Sequence, residues 1–290
     1  DLRADAVRAP ALATSAGTVS FEWDVSNAGS TSLAGSWTDR VYLSRDDSIG
    51  SGDRLVAERN VVRSLAVAES YTESASFVLP VDATGDHRLI LRTDATAAVT
   101  ELNAETNNQV ATALSVDLAP YADLAVTQVV APNRTIDDPA LVTIGWTVAN
   151  KGNGRGISDN WTDVIVASRD AVFGNADDRV LASFAQSAGL DAGQSYTRSE
   201  TFYLPAAFEG RFTLFVHTDS AGQVFENGLE ANNALAKAEA FDVMRIPYAD
   251  LVIDALAPQG PARSGQALDV AWVVRNQGIG IGAPVGTPVK

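Results

Sequence analysis

The chain repeats itself. Pro120-Tyr121-Ala122-Asp123-Leu124 returns as Pro247-Tyr248-Ala249-Asp250-Leu251, an offset of 247 − 120 = 127, and Asp1-Leu2 opens the chain in the same register. Between these marks Trp23 recurs as Trp146 and Trp272, each followed by Asn-x-Gly at Asn27 and Gly29, Asn150 and Gly152, Asn276 and Gly278. Trp37-Thr38-Asp39 recurs as Trp161-Thr162-Asp163, and Thr93-Asp94 as Thr218-Asp219. A period of 123 to 127 residues is too long for a solenoid unit and is the size of an independent domain. The modules are read as 1–118, 119–245 and an incomplete third, 246–290, which has the first two strands but neither the Trp-Thr-Asp segment nor an acidic loop.

Within each module the hydrophobic period is two. Val19, Phe21, Trp23 and Val25 alternate with polar or small residues, as do Val142, Ile144, Trp146 and Val148, and again Leu268, Val270, Trp272 and Val274. Further strands are expected over 123–131, 161–168, 179–184, 195–204, 211–219 and 233–243, with turns at Asn-x-Gly, Asp191-Ala192-Gly193 and Glu209-Gly210. The Ala-rich run 231–240 could wind as a helix, but the matching run 110–116 alternates and is β-branched, so both are read as strands. About seven short antiparallel strands per module, one Trp on the second and another opening the third, predict an all-β fold: tandem immunoglobulin-like β-sandwich domains. Trp23, Trp37, Trp146 and Trp161 then fill the space between two sheets, with a sugar-stacking platform as the competing use. Tyr42, Tyr71, Tyr196 and Tyr203 fit strand faces.

Charge narrows the function classes. Lys and Arg number 21 against 36 Asp and Glu, a formal charge of −15, so a phosphate backbone or anionic membrane surface would be repelled and no nucleic acid is expected as partner. With no cysteine there is no disulfide framework, thiolate nucleophile or zinc knuckle. No apolar stretch approaches the ~20 residues of a spanning helix, so no membrane insertion is expected, and any export signal lies outside this stretch. His87 and His217 each occur in one module alone, no nucleophile, zinc or phosphate-loop motif is present, and the chain is read as a non-enzyme.

Carboxylates carry the strongest site signal. Asp94, Glu101, Glu105, Asn107 and Asn108 follow the sixth strand of the first module; Asp219, Glu226, Glu230, Asn232 and Asn233 follow it in the second, with the same spacing of 7, 4, 2 and 1. Residues 93–108 and 218–233 each hold three acids and no base. Strands that alternate in direction put this loop and Asp39, or Asp163, at the pole where the chain enters the sandwich. The loop after the third strand, 44–54 or 168–179, sits at the pole where it leaves. In a string of modules Asp46 and Asp53 would then approach the next module's acids beside Asp123. Like charges a few ångströms apart cost about 1 kcal/mol per pair in water and several times that near a low-dielectric surface. Calcium, which takes six to eight oxygen ligands in flexible loops, would relieve that cost. The expected ligands are Asp39, Asp94, Glu101 and Glu105 in one module and Asp163, Asp219, Glu226 and Glu230 in the next, with Asp46, Asp53 and Asp123 bridging the joint. Alternatively the acids are solvated, cap turns with Asn107 and Asn232, or pair with Arg45, Arg54, Arg169 and Arg179.

The Asp-Leu openings, W-x-V-x-N-x-G, W-T-D-x-V/I-x-x-S-R-D and the closing E-x-x-x-E-x-N-N resemble CARDB, the cell-adhesion-related domain found in bacteria, in tandem array. The resemblance covers modules one and two and the first two strands of the third. It implies secretion or display on a bacterial cell surface within a large protein. Its expected partners are neighbouring repeats of the same chain and an unidentified host-surface or matrix ligand, and its expected role is that of an adhesive spacer. A carbohydrate- or protein-binding accessory module of a secreted hydrolase is the alternative.

Overall fold

A computed structural model describes residues 1–101, 105–247, 249–278 and 280. Tyr248 of the third opening motif, and the stretch from 281 to Lys290 in which the third-module motifs were sought, lie outside the described residues. Contacts divide the chain into two compact units, the first Asp1–Ala122 with Gly152–Ile157 and Phe225–Asn227, the second Asp123–Lys151, Ser158–Val224 and Gly228–Lys290.

In the first module β1 (Leu2–Arg8), β3 (Thr18–Asn27) and β6 (Ser70–Val78) form a three-stranded sheet. A five-stranded sheet runs β2 (Leu12–Thr14), β8 (Gln109–Asp117), β7 (Gly85–Arg92), β4 (Leu33–Ser44) and β5 (Arg54–Leu65). Alternation sends one face of each sheet inward, so Val19, Phe21, Trp23 and Val25 of β3 meet Trp37, Val41, Leu89, Leu91 and Leu114 in one apolar core. A Trp ring taken wholly from water removes about 200 Å² of largely apolar surface, worth roughly 5 kcal/mol before entropy is counted. Trp23, Trp37, Trp146 and Trp161 are each no more than 2% exposed, so none is a sugar platform.

The second module repeats this plan. Strands β9 (Leu124–Val130), β11 (Leu141–Asn150) and β14 (Ser195–Tyr203) make one sheet. The other runs β10 (Arg134–Ile136), β17 (Phe241–Met244), β15 (Gly210–His217), β12 (Trp161–Ser168) and β13 (Arg179–Gln186), with β16 (Ala234–Ala236) also on β15.

Three expectations need correction. Each module adds a three-residue strand, β2 or β10, that pairs in parallel with β8 or β17, so the sheets are not wholly antiparallel. The 233–243 strand is broken into β16 and β17: Lys237 N bonds Leu214 O while its ammonium reaches Asn133 Oδ1 at 2.6 Å, and the chain re-enters the sheet where Phe241 and Val243 find buried sites. Trp37 lies inside β4, which begins at Leu33, whereas Trp161 does open β12.

The third module is a hairpin of β18 (Leu251–Pro258) and β19 (Val270–Asn276). Trp272 is 63% exposed where its counterparts Trp23 and Trp146 are 0% and 1%, because no second sheet covers this face among the described residues.

Candidate functional site

The Trp-Thr-Asp segment carries its aspartate into the core. In the first module Asp39 Oδ2 accepts Trp23 Nε1 at 3.0 Å and the Tyr71 hydroxyl at 2.7 Å, and Oδ1 accepts Thr93 Oγ1 at 2.7 Å. Trp37 Nε1 donates in turn to the Tyr71 oxygen at 2.8 Å. The second module copies every bond: Trp146 Nε1 at 2.8 Å, the Tyr196 hydroxyl at 2.6 Å and Thr218 Oγ1 at 2.7 Å converge on Asp163, with Trp161 Nε1 3.3 Å from the Tyr196 oxygen. These bonds tie β3 to β4 and β6 to β4, crossing between the sheets. Burial pushes the Asp39 carboxyl above the usual carboxylate range, against the pull of its donors Trp23, Thr93 and Tyr71. The Tyr71 and Tyr196 phenols are pushed far up, first by burial and then by the neighbouring aspartate. Asp39 and Asp163 are thus held by three core donors each and serve the fold, although Asp163 still acts by its charge on Asp219 of the loop. Tyr71 and Tyr196 were missed as members of this network, although their offset of 196 − 71 = 125 falls inside the repeat period.

The acidic loop, which follows β7 in the first module and β15 in the second, is built around a strained aspartate. Asp94 and Asp219 sit at φ 39° and 45°, left-handed backbone that Asp tolerates better than most residues. Asp94 accepts the backbone N–H of Ala98 at 2.8 Å and of Val99 at 2.9 Å; Asp219 accepts Gln223 N at 2.7 Å and Val224 N at 2.9 Å. In the first module Glu101 accepts Leu2 N, and Asn108 Nδ2 bridges Glu101 at 2.8 Å and Glu105 at 3.2 Å. In the second, Asn233 Nδ2 holds Glu230 at 2.8 Å and Asn232 Nδ2 holds Asp123 Oδ1 at 2.7 Å.

Here the two loops diverge. Asp219, Glu226 and Glu230 bring one carboxylate oxygen each to within 4.8 Å of one another, and among the described residues no other three acidic or ligating side chains do so. Asp219 and Glu226 are buried and Glu230 is at the surface. Burial pushes the Asp219 carboxyl up against the pull of its two backbone donors. Glu230 is pushed up by burial, then by the charges of Asp219 and Asp123. An all-oxygen donor set on a loop matches a hard divalent cation rather than zinc or copper.

The family model CARDB matches residues 1–112 and 121–237. This chain belongs to the CARDB family. It is a tandem of adhesion-related CARDB modules. The crystal structure of a CARDB domain from Pyrococcus furiosus, in complex with di-metal ions, is similar at 24% identity over 41% of this chain and 94% of that one, TM-score 0.33. A solution structure of the same domain gives 25%, 41%, 96% and 0.32. A Listeria innocua beta-glucosidase in complex with glucose gives 16%, 40%, 16% and 0.27. A search of the curated proteins found no match.

Elsewhere in the CARDB modules the remaining candidates serve local geometry. Asp46 Oδ1 accepts Ser48 N at 2.8 Å and Asp53 Oδ2 accepts Gly50 N at 2.6 Å, each closing its own loop, while Asp47 pairs with Arg88 at 2.8 Å. Asp123 joins the acids of its own module through Asn232 and through its charge on Glu230. Three of the four arginines expected to neutralise these loops have other contacts: Arg45 donates to Thr84 O at 2.7 Å, and the guanidinium groups of Arg169 and Arg179 lie 5.7 Å and 5.2 Å from the ring centres of Phe212 and Phe208. His87 is buried with Nδ1 3.0 Å from Gly85 O, and His217 packs edge-on to Phe173 at 5.0 Å, its burial favouring the neutral imidazole.

Proposed function

We propose that this chain is a non-catalytic extracellular spacer and adhesion module of a large bacterial surface or secreted protein, with its second module stiffened by calcium. The reading rests on tandem CARDB modules in which the buried Asp39, Asp163 and His87 are engaged within the core and strands. Its calcium component rests on one observation, the convergence of Asp219, Glu226 and Glu230 to within 4.8 Å. These three would hold the ion; the cation would relieve the mutual repulsion that raises Glu230 and clamp the ends of the 218–233 loop together. Asp123 and Asn232 stand beside them to complete the oxygen shell. Asp39 and Asp163, saturated by Trp, Tyr and Thr donors, would take no part.

Thermal unfolding of the full chain with chelator and with millimolar calcium tests this. Calcium at about one hundred times its Kd adds roughly 2.7 kcal/mol to the module that binds it, and the melting transition of the second module alone should rise. Glu226→Gln should abolish most of that rise, while Glu101→Gln should leave it in place. A second-module transition indifferent to calcium would remove the ion from the proposal.

A further inference from the structure

Residues 59 and 184 occupy one place in the two modules, opposite Asp39 in the β4–β5 ladder and opposite Asp163 in the β12–β13 ladder. Phe184 fills that place: its ring lies 5.5 Å from Trp146 and 6.1 Å from Phe202, with the Arg198 guanidinium 5.1 Å above it. Arg59 does not. Its exposed guanidinium donates to the backbone carbonyls of Glu58 at 3.1 Å and Ser74 at 3.2 Å and, among the described residues, has no carboxylate partner.

Along this side of the first module runs an open groove of ≈ 850 Å³, lined by Phe21, Ala57 and Ala75 with Arg59, Ser74 and Ser76. It is walled by β5 and β6, the terminal strands of the two sheets, each with one side free of a ladder partner, and floored by Ser20, Phe21 and Glu22 of β3 and by residues 8–10 at the end of β1. Such edges offer free backbone N–H and C=O groups to an extended chain. Phe21 is 3% exposed, which leaves no ring face for a sugar to stack on. Arg8, the other cation at the groove, is already held by Asp24 and Glu22. Arg59, bonded only to two backbone carbonyls, is therefore the groove cation without a carboxylate partner among the described residues, and its planar fork matches a carboxylate.

We propose that this groove binds an extended polypeptide segment of a partner protein, adding it to a sheet edge and selecting a Glu or Asp side chain through Arg59. Small side chains at Ala57 and Ala75 leave room for an apolar residue beside the acidic one. The inference deepens the adhesive part of the function proposed above by naming a ligand class. It concerns the first module, whereas calcium concerns the second, so failure of either leaves the other standing.

The test uses the full chain and a short peptide of alternating valine and glutamate, with the valine–lysine peptide as control. Titration followed by amide NMR should move Val56, Ala57, Arg59, Ser74 and Ser76 with the glutamate peptide alone. Arg59→Phe, which copies the second module and should fold, is expected to fill the groove and weaken binding about tenfold or more; Arg59→Gln should weaken it to a similar degree with the groove open, since both lose the charge-assisted pair. Equal binding of the lysine peptide, unshifted groove amides at about millimolar peptide, or undiminished binding by both variants would overturn the proposal.

Discussion

A carboxylate withdrawn from water costs several kcal/mol unless donors replace its hydration. Asp39 has three donors, yet burial still leaves its carboxyl above the ordinary range. The consequence has a sign. A carboxyl raised in the folded state contributes stability that is fully present below the unfolded pKa of about 3.9 and is lost as pH rises through the folded value. Asp39→Asn offers one acceptor where two served and should cost the first module about 2–4 kcal/mol. Urea unfolding at pH 4 and pH 7, parent against variant, should show a larger cost at pH 4. The opposite order would mean that Trp23, Tyr71 and Thr93 more than repay the burial. That aspartate was visible in the sequence as a recurrent residue, but its role was not. Its donors come from strands far along the chain, with Tyr71 32 positions away and Thr93 54, and no local pattern names such partners.

At the scale of elements, what could be read was whatever is periodic over neighbouring residues. The strands around Trp23, Trp146 and Trp272 follow from alternation, and the first and third Asn-x-Gly close on themselves: Asn27 Oδ1 accepts Gly29 N at 3.0 Å, and Asn276 Oδ1 accepts Gly278 N at 2.9 Å. What escaped was set by tertiary partners. Strands β2 and β10 are three residues long and exist because β8 and β17 lie beside them. The acidic loops share one spacing, yet among the described residues only the second brings an oxygen of each of its three carboxylates within 4.8 Å of one another. Asp219 anchors that second loop through two backbone bonds while held at φ 45°. Asp219→Ala should therefore destabilise the second module by about 1–2 kcal/mol even in chelator, losing the cap without relieving the backbone. Asp219→Gly relieves the backbone and should cost less than Ala in the same denaturant titration. Equal costs would show that φ at this position stores no strain.

For the whole molecule, the same Trp motif appears in three settings and tests what a module needs. Trp23 and Trp146 each sit beneath a second sheet; Trp272 lies on a hairpin whose Leu251, Ile253 and Leu256 are each at least 67% exposed. An isolated hairpin is marginal in water, because its cross-strand bonds form without a buried apolar face to make them cooperative. Trp272→Ala should accordingly change the unfolding of the first two modules by less than about 0.5 kcal/mol, the ordinary range for an exposed site. Trp23→Ala and Trp146→Ala, each emptying a core, should cost about 3–5 kcal/mol and should each lower the transition of their own module. Native-state hydrogen exchange makes the same distinction without mutation: amides of β3 and β11 should exchange only with unfolding of their module, while those of β18 and β19 exchange at rates near those of an unstructured chain. Strong protection in β19 would mean that the exposed face of Trp272 is covered in solution by a surface that completes the sandwich.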